Sequence, residues 1–329
     1  LSTVGLAFGV MHRGLAFLIV GVLASCSTTA SPTTLGALPT TTAFESPTTT
    51  SIPAVSSFGL AVGPDGITYD LEGSPPSGPS SFAITPHGTV VVADTMAAGR
   101  GEPRLMAHDP DGTDQVVPLD HLEVESVVDV VALGDLLVVV DVDVARDRYR
   151  VLSLAGGDLV DEVEVPVGSR FADGLTGLAV DDSGWLLEFE FGRWFERLAS
   201  SGAERVDSLV LGGVPVEVAP AASGDVVLVG DRRIEVSRAT ELGGTFFVGL
   251  AGDGTVVVVV DEVTVGDSGV VVDRQVRRYG TAGGLVGSVD IDLTQEAVHV
   301  ARPIEMAPDG SWVYVFAEPD RLLVEVFDV

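Results

Sequence analysis

The sequence predicts an all-β fold, a six-bladed β-propeller, and a recurrent turn is the first observation behind this prediction. Glycines close short hairpins at six positions that span 222 residues, at a mean spacing of about 44: Gly88, Gly134, Gly184, Gly224, Gly254 and Gly310. Each glycine follows one apolar, β-branched segment and precedes another. Repeats of this length built from short strands are typical of propeller blades.

The second observation is the internal pattern of one repeat, Ser81–Leu119. It contains four strand-like segments separated by turn residues, among them the hairpin sequence Asp109-Pro110-Asp111-Gly112. In most repeats a third strand begins at or near an arginine: Arg104, Arg150, Arg193, Arg232, Arg274 and Arg321. Four short strands in each repeat match a propeller blade better than a sandwich.

The uneven spacing of the repeats and the chain ends predict how the ring closes. The step from Gly224 to Gly254 is short, so we expect the fourth repeat to lack most of its outer strand. A seventh blade around Gly66 is the alternative. The last repeat stops after Arg321–Val329 without a fourth strand, whereas Phe58–Leu71 supplies spare strand sequence. Pairing these two segments would close the ring and protect both strand edges.

The amino-terminal segment predicts export. About eleven apolar residues, Gly14–Ala24, follow His12 and Arg13, which suits a signal peptide and is too short for a membrane span of roughly 20 residues. Synthesis begins either at Leu1 or at Met11, and both starts give the same mature end. We assign residues 1–25 to the signal peptide.

The residues that end this segment, Leu23-Ala24-Ser25-Cys26, resemble the lipobox of bacterial lipoproteins. The resemblance implies that Cys26 carries diacylglycerol, with two acyl chains such as palmitate, and becomes the first mature residue. Cys26 is the only cysteine, so it cannot form an internal disulfide. Because two acyl chains anchor a protein stably, we expect a lipid-anchored protein on the extracytoplasmic side of the cell membrane, in the cell envelope. The alternative is an ordinary signal peptide with an incidental cysteine.

Residues 26–57 predict a disordered linker between this anchor and the propeller domain, residues 58–329. The segment is rich in Thr, Ser and Pro, has one charged residue, Glu45, and lacks an apolar face. A flexible chain of this length would hold the domain on average about 30 Å from the membrane.

The composition restricts the partners. The chain has 48 acidic and 18 basic residues, a net charge of −30, and it contains neither lysine nor asparagine. Nucleic-acid binding requires clustered positive charge, so we exclude nucleic acid as a partner. The acidity is typical of a well-solvated exported protein. We expect the protein to be a monomer that binds an unknown protein or small-molecule ligand.

In the pattern of the blades, an apolar strand and a glycine turn are followed by a second apolar strand, by an arginine that begins the third strand and by an Asp-Gly hairpin, as in Val90–Asp94, Arg104 and Asp109–Gly112. This pattern resembles that of NHL, SMP-30 and YVTN-like propellers. That group includes calcium-dependent lactonases and other hydrolases or lyases, but also binding platforms without catalytic activity. In the lactonases, a glutamate, asparagines and an aspartate hold the metal. Since this chain has no asparagine, that site cannot exist in its usual form.

Candidate ligand-binding residues fall in the connections between repeats, which line the channel mouth of a propeller: His121, Arg170, Asp173, His299 and Arg302. Neutral polar residues would satisfy these connections equally well. We therefore expect the charge of the candidate residues to contribute nothing to folding. His87 and His108 are predicted to be surface residues. The calcium-like fragments Asp109–Asp114 and Asp141–Asp143 are interpreted as solvated turns, because neither completes a loop with six to eight oxygen ligands.

The sequence therefore predicts a membrane-anchored propeller lipoprotein that acts as a ligand-binding or protein-interaction platform. No catalytic residue and no cofactor are predicted, and the metal content is left open. One alternative is a metal-dependent, lactonase-like hydrolase, and the other is a solute-capturing sensor subunit.

Overall fold

A computed structural model describes most of the chain from Ser56 to Asp328. The described positions are 54, 56–62, 66–69, 78–94, 103–143, 148–166, 175–190, 192–199, 202–266, 269–293, 300, 302–307 and 309–328. The predicted signal peptide, Cys26 and nearly all of the predicted linker lie outside these positions. Among the described residues, no helix combines the length and the apolar character that a membrane crossing by a helix requires.

The described strands form six four-stranded antiparallel sheets arranged as a ring, which confirms the six-bladed β-propeller. Blades 1 and 2 comprise β2 (Phe82–Ile84), β3 (Val90–Asp94), β4 (Arg104–His108) and β5 (Asp114–Pro118), then β6 (Val127–Leu133), β7 (Leu136–Asp143), β8 (Arg148–Ala155) and β9 (Asp158–Pro166). Blades 3 and 4 comprise β10 (Leu175–Asp181), β11 (Gly184–Phe189), β12 (Trp194–Ala199) and β13 (Gly202–Val206), then β14 (Leu209–Leu211), β15 (Val214–Ala221), β16 (Gly224–Val229) and β17 (Arg232–Ser237). Blades 5 and 6 comprise β18 (Leu242–Leu250), β19 (Val256–Gly266), β20 (Gly269–Tyr279) and β21 (Leu285–Ile291), then β22 (Ile304–Met306), β23 (Trp312–Ala317), β24 (Arg321–Phe327) and β1 (Ser56–Ala61).

The order of strands defines two faces of the ring. First strands of neighbouring blades contact one another, except between blades 4 and 5, where β18 contacts β15 and β16, so the first strands lie nearest the axis. The hairpins between second and third strands, together with the connections between blades, form the upper face. The hairpins between first and second strands and between third and fourth strands form the lower face. The two described candidate ligand-binding residues, His121 and Arg302, therefore belong to the upper face.

The amino-terminal strand closes the ring, as the sequence predicts. Strand β1 pairs antiparallel with β24 from Ser56 opposite Val326 to Ala61 opposite Arg321, so the described strands form six blades and no separate seventh. Leu60 is buried in the core between blades 6 and 1. Phe58 stacks on His108 with ring centroids 4.5 Å apart. The prediction that His108 is a surface residue is wrong, because its side chain is only 16% exposed.

Blade 4 differs from the prediction. It has four strands, so it does not lack its outer strand. The apolar segment before Gly224, Val214–Ala219, is therefore not the first strand of the blade. It lies within the second strand, β15, and the first strand is the three-residue β14. Gly224 therefore follows the turn between the second and third strands and not the first hairpin. The first hairpin turns instead at Gly212 and Gly213, both of which have positive φ.

Buried ion pairs account for the third-strand arginines of three blades. An aspartate of the second strand lies directly opposite an arginine of the third strand in blades 1, 2 and 5. The pairs are Asp94–Arg104 at 3.0 Å, Asp141–Arg150 at 2.5 Å, Asp143–Arg148 at 3.1 Å and Asp261–Arg274 at 2.7 Å. The interpretation of Asp141 and Asp143 as solvated turn residues is wrong, because both are buried strand residues. A buried carboxylate requires such a partner.

Candidate functional site

A cluster of charged side chains lies near the axis, at the upper ends of the inner strands. Asp129 comes from β6, Glu188 from the end of β11 and Glu305 from β22. Arg302 belongs to the connection that precedes β22. These four residues, the axial cluster, join charged groups of blades 2, 3 and 6 and form the candidate functional site.

Arg302 is the centre of the axial cluster. Its Nη1 donates to Asp129 Oδ2 at 2.5 Å and also to the carbonyl oxygen of Leu178. Its Nη2 lies 3.2 Å from Glu188 Oε2 and 3.9 Å from Glu305 Oε1. One guanidinium from blade 6 thus joins groups of blades 2 and 3. Such a planar donor suits several carboxylates at once, whereas a lysine ammonium would act only as a point charge.

The backbone beside Arg302 extends this link to blade 1. Ser81 and Arg302 form an isolated parallel β-bridge, and Arg302 N donates to Ser80 O at 3.4 Å. The hydroxyl of Ser81 in turn accepts a hydrogen bond from Val130 N on β6, at 2.9 Å. The connection carrying Arg302 therefore contacts several blades around the axis.

Local irregularities of the inner strands admit this cluster. The pairing of β6 with β7 shifts between Val127 and Asp129, and the pairing of β10 with β11 shifts between Leu175 and Gly177. Such bulges re-aim side chains near functional sites. A Cβ atom at Gly177 would lie 2.3 Å from Asp129 Oδ2 and 3.0 Å from Arg302 Nη1. Glycine is required at this position because the ion pair occupies the space of a side chain.

The electrostatics of the cluster are dominated by burial and by an excess of negative charge. Burial raises the pKa of Glu305 to about 7; Arg302 opposes this shift, and Asp129 and Glu188 add to it. Burial also raises the pKa of Glu188, again against the effect of Arg302. Burial alone lowers the pKa of Arg302, but the three carboxylates raise it above its ordinary value. Arg302 therefore stays charged, and Glu305 gains or loses its proton near neutral pH.

This shift predicts the pH dependence of stability. Folded Glu305 binds its proton up to about pH 7, whereas the unfolded carboxyl loses it near its ordinary value of 4.5. Stability should therefore fall as the pH rises through this window, by up to about 3 kcal/mol from this group. Glu305→Gln should be more stable than the parent at pH 8 and nearly equal to it at pH 5, as measured by urea denaturation.

The control for this experiment is Glu204→Gln on β13, where the carboxylate is exposed and the same chemical change is made. This variant should follow the parent at both pH values. A stability difference between Glu305→Gln and the parent that does not depend on pH would contradict the assigned titration.

Of the five predicted ligand-binding residues, the structure describes His121 and Arg302. His121 lies in a 3₁₀ turn, Asp120–Leu122, on the connection between blades 1 and 2, and its side chain is 49% exposed. Arg150 fixes this connection by donating to Leu122 O at 3.1 Å and Glu123 O at 2.6 Å. Arg170, Asp173 and His299, like Cys26, lie outside the described residues.

The expectation that charge on these connections contributes nothing to folding is wrong for Arg302, because its guanidinium pairs with carboxylates of other blades. The sequence analysis missed Asp129, Glu188 and Glu305. One signal in the sequence could have found them, an acidic residue within an otherwise apolar strand, as in Val127–Leu133. An aspartate is seldom fully buried without a partner, so such a residue indicates a buried ion pair.

The described residues contain no group of three or more His, Cys, Asp or Glu side chains placed to hold a metal ion. In the axial cluster, the permanent positive charge of Arg302 lies among carboxylates and links blade 6 to blades 2 and 3. The cluster can also store a proton on Glu305.

The fold and the cluster define a six-bladed β-propeller with a charged axis. No protein-family model and no curated protein sequence matches this chain. Among solved structures, a luciferin-regenerating enzyme is 11% identical with a TM-score of 0.45, over 75% of this chain and 90% of that one.

Two further structures resemble this chain to a smaller degree. A mannose phosphorylase from Leishmania mexicana is 10% identical with a TM-score of 0.39, over 97% and 94% of the two chains. Hsv2 from Kluyveromyces lactis is 12% identical with a TM-score of 0.39, over 72% and 70%. These neighbours differ in function, and at this degree of similarity none of them indicates what this chain does.

Proposed function

We propose that this protein is a lipid-anchored, extracytoplasmic propeller that acts as a binding platform for a protein or a small-molecule ligand. The observation that carries the proposal is the axial cluster, in which the guanidinium of Arg302 lies between Asp129 and Glu188. A metal-dependent hydrolase needs an open cation position near its catalytic carboxylates. Here a side chain of the protein itself supplies the cation, which supports a platform of the NHL, SMP-30 or YVTN-like type over a lactonase-like enzyme.

The solute-capturing sensor is the second candidate, and the exposed position of His121 on the upper face favours it. Under this proposal His121, Arg170, Asp173 and His299 contact the solute at the channel mouth. Arg302 would act as a positioning residue, since its guanidinium already pairs with carboxylates.

The anchor is tested by Cys26→Ala. If Cys26 carries the acyl chains, the parent should partition with membranes and into detergent, whereas the variant should appear as soluble protein or unprocessed precursor. Membrane fractionation and the mass of the mature amino terminus measure this. Two acyl chains hold a protein at the bilayer because each buried methylene contributes about 0.8 kcal/mol.

Ser27→Ala is the matched control, because it changes the neighbouring residue and leaves the thiol intact. It should fractionate as the parent does. Unchanged membrane association of Cys26→Ala, or a mature parent with an unmodified thiol, would contradict the lipid anchor.

A further inference from the structure

The hairpin between β19 and β20 is longer than its counterparts. Both strands have eleven residues, whereas the second and third strands of the other blades have five to eight. The pairing of β18 with β19 ends at Leu242 opposite Val263, and the pairing of β20 with β21 ends at Ile291 opposite Arg274. On β19, residues 264–266 lie beyond the pairing with β18, and on β20, residues 269–273 lie beyond the pairing with β21, so the end of this hairpin extends above the sheet on the upper face. We name residues 264–266 and 269–273 the blade 5 tip.

The blade 5 tip exposes apolar side chains. Val265 is 63% exposed, Val270 49% and Val271 60%. Val265 and Val270 are directly opposite one another, so they share a face of the hairpin, and Val271 lies on the other face. Single exposed apolar residues are ordinary, but here the exposed pair Val265 and Val270 lies on one face of the tip and Val271 on the other, so both faces present apolar surface to a partner.

The blade 5 tip also exposes a strand edge. Among the described residues, no strand pairs with the outer edge of Gly269–Asp273, because β21 ends opposite Arg274. Along an edge, alternate residues direct their N–H and C=O groups outward. Proteins commonly protect such an edge with lysine, proline or a bulge. The tip contains no proline, its pairing with β19 is regular, and its one described charged side chain is Asp273.

We propose that the outer edge of Gly269–Asp273 binds an extended, cationic segment of a partner protein by strand addition. This inference rests on the proposed platform function and names its partner class. Main-chain hydrogen bonds to the edge would supply affinity, and Val270 and Val271 would contact alternate side chains of the added strand.

Charge selects a basic segment as the occupant. Asp273 is exposed at the edge, and the chain as a whole carries −30. A field of one sign attracts and orients a partner of opposite charge. The same field disfavours a second copy of this chain, because two surfaces of like charge would meet at the edge.

The probe is a short synthetic peptide of alternating arginine and valine, labelled with a fluorophore and titrated with the full-length protein in detergent. Fluorescence anisotropy should show binding that weakens at high salt. A peptide with glutamate in place of arginine and one with a central proline should both bind at least about tenfold more weakly, because one reverses the charge and the other removes a backbone donor.

The variant Val265→Ser/Val270→Ser removes the apolar face of the tip and should weaken binding of the arginine-valine peptide by about tenfold. The control Val160→Ser/Val286→Ser makes the same change at two exposed valines of β9 and β21, away from the tip. It should bind as the parent does. Matching melting temperatures of the two variants would show that both fold.

Equal binding of the arginine-valine and glutamate-valine peptides, equal binding by the tip and control variants, or no binding at all would overturn the proposal. Concentration-dependent dimers that the tip variant abolishes, seen by analytical ultracentrifugation, would assign the edge to a second copy instead. None of these results would affect the lipid anchor, which fractionation of Cys26→Ala tests separately.

Discussion

Deletion of Ser56–Ala61 should lower the free energy of unfolding by about 4 to 6 kcal/mol, because it removes the outer strand of blade 6. Leu60 is 5% exposed and packs with Leu322 and Val324, so the deletion uncovers apolar surface. It also leaves the edge of β24 without its partner over six residue pairs. The ring would then be open, with an edge available for aggregation. Urea denaturation and the melting temperature measure the loss.

Two controls separate ring closure from a general effect of truncation. Deleting residues 27–51, which precede the described part of the chain, should leave the melting temperature nearly unchanged. Ser57→Ala changes an exposed side chain of the same strand and should be neutral within about 0.5 kcal/mol. A peptide covering residues 54–69, added in trans, should restore part of the lost stability. Equal tolerance of both deletions would contradict closure through β1.

The sequence was sufficient for the ring and its closure because both depend on local signals. Glycines with positive φ mark hairpins, and a last repeat that lacks one strand requires a partner from the other end. The same glycine signal led to a wrong assignment of the strands in blade 4. Gly224 has positive φ like Gly184, but it follows the second hairpin of its blade, and a turn residue does not reveal which two strands it joins.

The axial cluster was only partly predictable because its contacts are non-local. The position of Arg302 on a connection at the upper face follows from the order of repeats. Its partner Asp129 lies 173 residues earlier in the chain, and nothing in the sequence relates the two. The Asp–Arg pairs are different, because Asp94 and Arg104 face each other across one hairpin. An aspartate at the end of an apolar strand followed by an arginine was a readable signal.

Arg302→Met is expected to destabilise the protein by about 3 to 5 kcal/mol, the usual effect of breaking a buried ion pair from one side. The variant keeps most of the side-chain volume but leaves Asp129, which is 1% exposed, and Glu188 without their cation. Arg302→Lys should be intermediate, because it restores charge without the planar donor set. Urea denaturation at pH 8 measures both changes.

The pH dependence of this loss distinguishes charge pairing from packing. Without Arg302 the carboxylates should take up protons at higher pH than in the parent, so the loss should shrink at pH 5. Arg302→Met/Glu305→Gln should recover part of the stability at pH 8, since it removes one unpaired carboxylate. Arg233→Met is the control, because Arg233 is 58% exposed and pairs with an exposed Glu235, so its effect should stay within about 1 kcal/mol. A loss for Arg302→Met that is equal at pH 5 and pH 8, and unaffected by Glu305→Gln, would mean that the arginine acts through its packing alone.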